Sequence, residues 1–189
     1  MNRSSQYPIA NFILNRHSPR AMSGEPITLE ELMPLFEAAR WAPSSYNNQP
    51  WRFVYALKNS LAWDKFFNLL VKFNQSWCQN ASVLIIIASK NNFDFNNKRA
   101  HTHSFDTGAA WENLALQGYL NKLVVHGMEG FDYKLAAQVI NLPPDHTIEA
   151  MVAIGKPGKV SDLPIELQLK ETLSTRKDLK QIVFAEKIV

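Results

Sequence analysis

The chain carries a single cysteine, Cys78, among 189 residues. One thiol allows no internal disulfide and no Cys-x-x-Cys metal or redox site, so it fits a reducing compartment and reads as a packing residue. Basic blocks are also missing. Twenty Lys and Arg against 17 acidic residues leave a net charge of +3 scattered along the chain, which argues against a nucleic-acid partner. The longest apolar run, Val83 to Ala88, falls far short of the ~20 residues needed to span a bilayer. The N-terminus shows no basic start followed by an apolar stretch. These absences lead us to expect a soluble, cytoplasmic protein with no membrane partner. No internal repeat, low-complexity tract or linker divides the chain, and no Gly-x-Gly-x-x-Gly follows a strand, so a Rossmann dinucleotide site is unsupported.

What is present suits one compact domain over residues 1–189: 46% hydrophobic and 11% aromatic content is enough for a real core. Thr28 and Glu31 form a capping box, and the apolar residues after them predict a helix from about Thr28 to Trp41, bent at Pro34. Pro50 to Leu57 reads as extended, Ser60 as the cap of one amphipathic helix through Val71, and Ala81 to Ser89 as a strand buried on both faces. The longest helical pattern runs from Phe105 to Val125. A shorter helix follows over Asp132 to Ile140, then a strand over Glu149 to Ile154, a helix over Pro164 to Leu173, and a terminal strand or arm at Gln181 to Phe184. This order predicts a mixed sheet covered by helices.

Candidate chemistry lies at separated stations. RHSPR (Arg16 to Arg20) sets two guanidiniums beside a hydroxyl, a set that suits charge-assisted bonds to phosphate or to an oxygen bearing negative charge, and suits a solvated turn equally. The stretch RWAPSSYNNQPWRFVYA (Arg40 to Ala56) gathers hydroxyls and uncharged amides that match the mixed edges of a heterocycle, or simply a capped loop. LSTRKDL (Leu173 to Leu179) again mixes hydroxyls with cations. His101 and His103 stand two apart, with no Cys, Asp or Glu set beside them to complete a tetrahedral site, so no metal is expected.

Together with GAAWENLALQGY (Gly108 to Tyr119) and HGMEGFD (His126 to Asp132), these stations resemble, in order from about Asn11 to Phe184, the nitroreductase family of FMN-dependent oxidoreductases. The resemblance implies an α+β sandwich that forms a homodimer, with two FMN sites in the interface. It implies that Arg16, His17, Ser18 and Arg20 hold the phosphate, ribityl and pyrimidine end of FMN, and that Pro43, Ser44, Ser45 and Asn47 come from the second copy. Glu129 and Gly130 match the backbone beside the flavin N5, Arg176 matches a phosphate-binding arginine with Lys177 as its neighbour, and Asn74 is a further flavin contact. His126 either lines the substrate cavity or is structural.

The implied activity is ping-pong hydride transfer from NAD(P)H through flavin N5 to a nitroaromatic, quinone or similar small-molecule acceptor. No protein nucleophile takes part. Arg20 and the Gly130 backbone serve as electrostatic support. A specialised relative acting on one metabolite, by enoyl, dehalogenation or flavin-modifying chemistry, and a non-catalytic flavin-binding protein are the alternatives. Departures from the family pattern include Lys122 before Leu123, where relatives often carry glycine. Asp178 stands where many have proline, and Trp77 where some have lysine.

Overall fold

The structure, a computed structural model, describes residues 3–188. A short helix α1 (Asn11–Asn15) leads to α2 (Leu29–Arg40), which starts at Thr28 with both halves of the capping box in place. Such a cap contributes about 1 kcal/mol. Strand β1 (Trp51–Leu57) follows, then α3 (Trp63–Phe67), α4 (Lys72–Cys78) and β2 (Val83–Lys90). Helix α5 (His103–Leu120), β3 (Val124–Met128), α6 (Tyr133–Val139), β4 (His146–Gly155) and α7 (Ile165–Gln168) complete the framework.

The strands form one sheet in the order β1-β2-β4-β3. Strand β2 is buried on both faces, as its uninterrupted apolar sequence requires. Its Leu84, Ile86 and Ala88 pack with Trp63, Phe66, Trp77 and Ala136 from α3, α4 and α6. The alternate residues Val83, Ile85 and Ile87 pack with Leu32, Leu35, Ala110 and Leu114 from α2 and α5. Each such aliphatic side chain stabilises the fold by about 1.5–3 kcal/mol when fully buried. Cys78 sits in the first of these layers, fully buried with its Sγ 3.4 Å from Met128 Sδ.

The α+β class is the expected one, but the sheet is not mixed. Every pairing is antiparallel. Strands β2 and β3 do run the same way, joined by α5, yet β4 lies between them and pairs antiparallel with both. One further irregularity shapes the site: opposite β2 the register shifts between Ile87, which faces Ala150, and Ala88, which faces Ile148, so Glu149 is bulged out of the ladder.

Three expectations need correction. The long helical pattern stops at Leu120: Lys122 takes a left-handed φ of 59°, and Val124–Met128 forms edge strand β3, where the β-branched pair Val124-Val125 is buried against β4. The single helix expected after Ser60 is two helices, and the first is capped at Ala62 without a side-chain bond. It breaks because residues 69–71 hydrogen-bond to another segment instead: Val71 N–H donates to Gly130 O at 3.0 Å and Asp132 N–H to Leu69 O at 2.9 Å. The helix expected over Pro164 to Leu173 shrinks to Ile165–Gln168. Of the two forms expected at Gln181 to Phe184, a strand or an arm, the strand is absent: the segment leaves a single 3-10 turn, Leu179–Gln181, held by the Asp178 side chain.

Candidate active site

The segment carrying Arg16 to Arg20 leaves α1 and runs between the two ends of the chain. It is pinned where Met22 bridges to Pro157, with Ser23 N–H donating to Lys156 O and Gly158 N–H to Ala21 O, both at 3.0 Å. A cavity of about 440 Å³ opens there, and Arg16, His17, Ser18 and Arg20 line it together with Arg176 from the C-terminal segment. The structure thus brings two distant cationic stations to one place. Lys177 is exposed and lines neither cavity described here.

Three groups in this cavity carried no sequence signal. Arg3 is one: its Nη1 donates to Leu14 O at 3.0 Å and to Arg16 O at 2.7 Å. Lys170 and Glu171 are the others. Glu171 accepts from the backbone N–H groups of Arg20 and Ala21 and pairs with the Arg20 guanidinium at 3.6 Å, with its own side chain 7% exposed. The carboxylate therefore offsets part of the Arg20 charge. Arg20 Nε and Arg3 Nε are buried and take no hydrogen-bond partner among the described residues.

His126 lines the same cavity, donating Nδ1–H to Pro19 O at 3.0 Å while its ring lies 4.6 Å from Trp77. Trp77 is buried and packs on His126. Burial holds the His126 imidazole below its usual pKa, and Arg20 acts in the same direction, against the Pro19 carbonyl.

A second cavity of about 480 Å³ shares Arg16 and Ser18 with the first. Trp111 and Tyr133 give it aromatic walls, and Glu112, Glu129 and bulged Glu149 supply carboxylates. The Arg16 guanidinium joins the two spaces. Its Nη1 donates to Ser18 Oγ at 3.3 Å and its Nε lies 3.7 Å from Glu112 Oε1.

Beside the second cavity, at the end of β3, Gly130 O accepts from Val71 N–H and from Asn74 Nδ2, each at 3.0 Å. Asn74 is buried, and this amino group is spent on holding the Gly130 backbone.

The loop with Pro43, Ser44, Ser45 and Asn47 lines neither cavity. It lies at the start of α5, where Ser45 N–H donates to Asp106 Oδ2 at 3.0 Å and Gln49 N–H to Ser44 Oγ at 3.0 Å. Asp106 precedes Glu112 by six residues on α5, ~9 Å of helix rise. Tyr46, Asn47 and Gln49 all take left-handed backbone angles, and Tyr46 is 79% exposed.

His103 belongs to a buried network rather than to a metal site. Arg99 donates to its Nε2 at 3.2 Å, which leaves the proton on Nδ1, 2.7 Å from Ser89 Oγ. The Ser89 and Ser104 hydroxyls in turn bond Glu149 Oε1. Burial, then Arg99, pulls the His103 pKa down. Among the described residues no group of three or more His, Cys, Asp or Glu could hold a metal ion. No helix among them is long and apolar enough to cross a membrane.

Both lowered histidines have a consequence for stability. Unfolded, they titrate near about 6.5, so below that pH the unfolded chain binds more protons than the folded one. The stabilisation present above about pH 6.5 is then lost as pH falls toward the folded values. The thermal midpoint is expected to drop between about pH 7.5 and about pH 5.5, and His126→Asn to flatten that drop. An unchanged slope in the variant would show that His126 is protonated in the folded state.

A cationic cavity that shares Arg16 and Ser18 with an aromatic one, on an antiparallel sheet flanked by helices, defines the class: an α+β sandwich with a two-part cleft. A model of the nitroreductase family matches residues 13–70 and 58–156, and the chain belongs to that family. Protein DrgA of Synechocystis is 30% identical over 168 residues, 73% of this chain and 77% of that one. The oxygen-insensitive NADPH nitroreductase of Helicobacter acinonychis is 41% identical over 64 residues, a match spanning 32% of this chain but only 28% of that protein.

Among solved structures, an oxidoreductase containing FMN is 41% identical, with a TM-score of 0.95 over 100% of this chain and 96% of its own. A nitroreductase family protein from Streptococcus pneumoniae shares the fold at 16% identity, with a TM-score of 0.73 over 93% of this chain and 98% of its own.

Proposed function

We propose that the protein is an FMN-dependent NAD(P)H oxidoreductase that reduces a nitroaromatic, quinone or similar small acceptor. One observation carries this reading: Arg16 and Ser18 line both the cationic cavity and the aromatic one, so a single ligand with a phosphate at one end and a planar ring at the other fits the pair. The buried, unpartnered Nε atoms of Arg3 and Arg20 suit such an anion. The 41% identical oxidoreductase containing FMN supports the choice of flavin.

In this reading Arg16 and Arg176 hold the phosphate, His17 and Ser18 the ribityl chain, and Arg20, tempered by Glu171, the pyrimidine edge. When bound, the flavin supplies hydride transfer between NAD(P)H and the acceptor. The chain's own part is to orient and to shield. Gly130, fixed by Asn74 and by Val71 N–H, presents an ordered backbone beside the ring, and Trp111 and Tyr133 exclude water from it. Pro43, Ser44, Ser45 and Asn47 reach a flavin only from a second copy, which makes the working unit a homodimer.

Denaturing the purified protein should release FMN, and anaerobic stopped-flow mixing with NADH or NADPH should bleach it before an acceptor restores the colour. Protein that binds no flavin would sink the reading. Bound FMN that neither nucleotide reduces would leave a flavin carrier instead. Sedimentation should give a dimer, and a monomer retaining stoichiometric FMN would contradict the shared site.

A further inference from the structure

We propose that Arg3 is a positioning residue of the anion site, which it orders and charges so that the cavity selects ligands ending in a phosphate monoester. The idea rests on the flavin reading above and extends it to a residue outside the motifs.

Arg3 ties three pieces of backbone and side chain together. Nη1 donates to Leu14 O at 3.0 Å and to Arg16 O at 2.7 Å, which fixes the residue that carries the shared guanidinium. Nη2 lies 3.4 Å from Ser174 Oγ, the same hydroxyl that accepts from Arg176 Nη1 at 2.9 Å. The N-terminal segment is held there by a second clasp, in which Gln6 Nε2 donates to Asp178 Oδ2 at 3.3 Å and Leu179 N–H donates to Gln6 Oε1 at 3.2 Å. Arg3 thus joins Arg16 to Arg176 across most of the sequence.

The charge balance points to an anion. Arg16 lies 3.7 Å from Glu112 and Arg20 3.6 Å from Glu171, whereas neither Arg3 nor Arg176 has an ion pair among the described residues. Burial, and then the nearby Arg176 and Arg16 charges, pull the Arg3 pKa down. The buried Nε of Arg3 still lacks an acceptor. A phosphate dianion relieves the repulsion and supplies acceptors to a planar fork of donors.

The test compares two flavins that differ only in the phosphate. Apoprotein of the wild type, Arg3→Gln and Arg3→Lys is titrated with FMN and with riboflavin, followed by flavin fluorescence. Arg3→Gln should weaken FMN by about 10-fold while changing riboflavin by less than about 2-fold, and Arg3→Lys should recover part of the loss. Equal weakening of both flavins, or of neither, overturns the proposal, because a merely structural residue does not discriminate by phosphate. If the wild type binds no flavin, the flavin reading fails and Arg3 is judged by thermal melts in inorganic phosphate. Phosphate should then raise the wild-type midpoint and not that of Arg3→Gln, and an equal response, including none, overturns it.

Discussion

Replacing Arg16 and Arg176 together with alanine should give a folded, colourless protein. Charge-assisted hydrogen bonds contribute about 1.5–3 kcal/mol each, so the pair should weaken FMN by roughly 10²- to 10⁴-fold. Arg16 should account for most of the loss. Its side chain is 16% exposed and lines both cavities, while Arg176 is exposed and screened by water. Removing Arg16 also strands Glu112 without its cation at the junction of the two spaces. Lys177→Ala is the control: the residue lines neither cavity, and its variant should bind FMN as the wild type does. Flavin fluorescence titration decides, and a Lys177→Ala loss as large as that of Arg176→Ala would show that the C-terminal cations act only through general charge.

Gly158→Ala should be strongly destabilising. A Cβ there would stand 2.4 Å from Met22 C, 2.5 Å from Met22 O and 2.8 Å from Ser23 N, all of them backbone atoms. No side chain can rotate away to relieve that overlap, so one of the two segments has to move. We expect a loss of roughly 2–4 kcal/mol, a large part of the ~5–15 kcal/mol typical of a domain. The segment displaced is the one leading out of Arg20, so flavin affinity should fall in whatever fraction remains folded. Urea denaturation measures the first effect, and an unfolding free energy within about 1 kcal/mol of wild type would show that the Met22–Pro157 bridge is loose.

Local signals were legible in the sequence and tertiary ones were not. The Thr28 capping box and the apolar run of β2 are written in neighbouring residues, so helix and strand could be read directly. Val124 and Val125 continue the helical pattern that starts at Phe105, and only the pairing of Val124–Met128 with β4 makes this segment a strand. The break between α3 and α4 is likewise decided elsewhere, by hydrogen bonds from residues 69–71 to residues 130–132.

At the site, Arg16 to Arg20 and Arg176 were recognisable by charge and order, and the structure gathers them. Arg3 and Glu171 were not, because each matters only through a contact with a distant segment. The hydrogen bond from the Asn74 amino group to the Gly130 carbonyl is equally invisible in sequence, because the two residues are 56 positions apart.

The slotting of β4 between β2 and β3 also bears on the order in which the chain can assemble. Strand β2 leaves the ribosome well before residue 146, and until β4 follows it one of its edges and the inner edge of β3 have nothing to pair with. Synthesis proceeds at about 5–20 residues per second, so a nascent chain carries a greasy, half-built sheet for several seconds. Closure then waits on contacts between residues far apart in sequence, the slow kind. A chain stalled before β4 emerges keeps those strand edges unpaired.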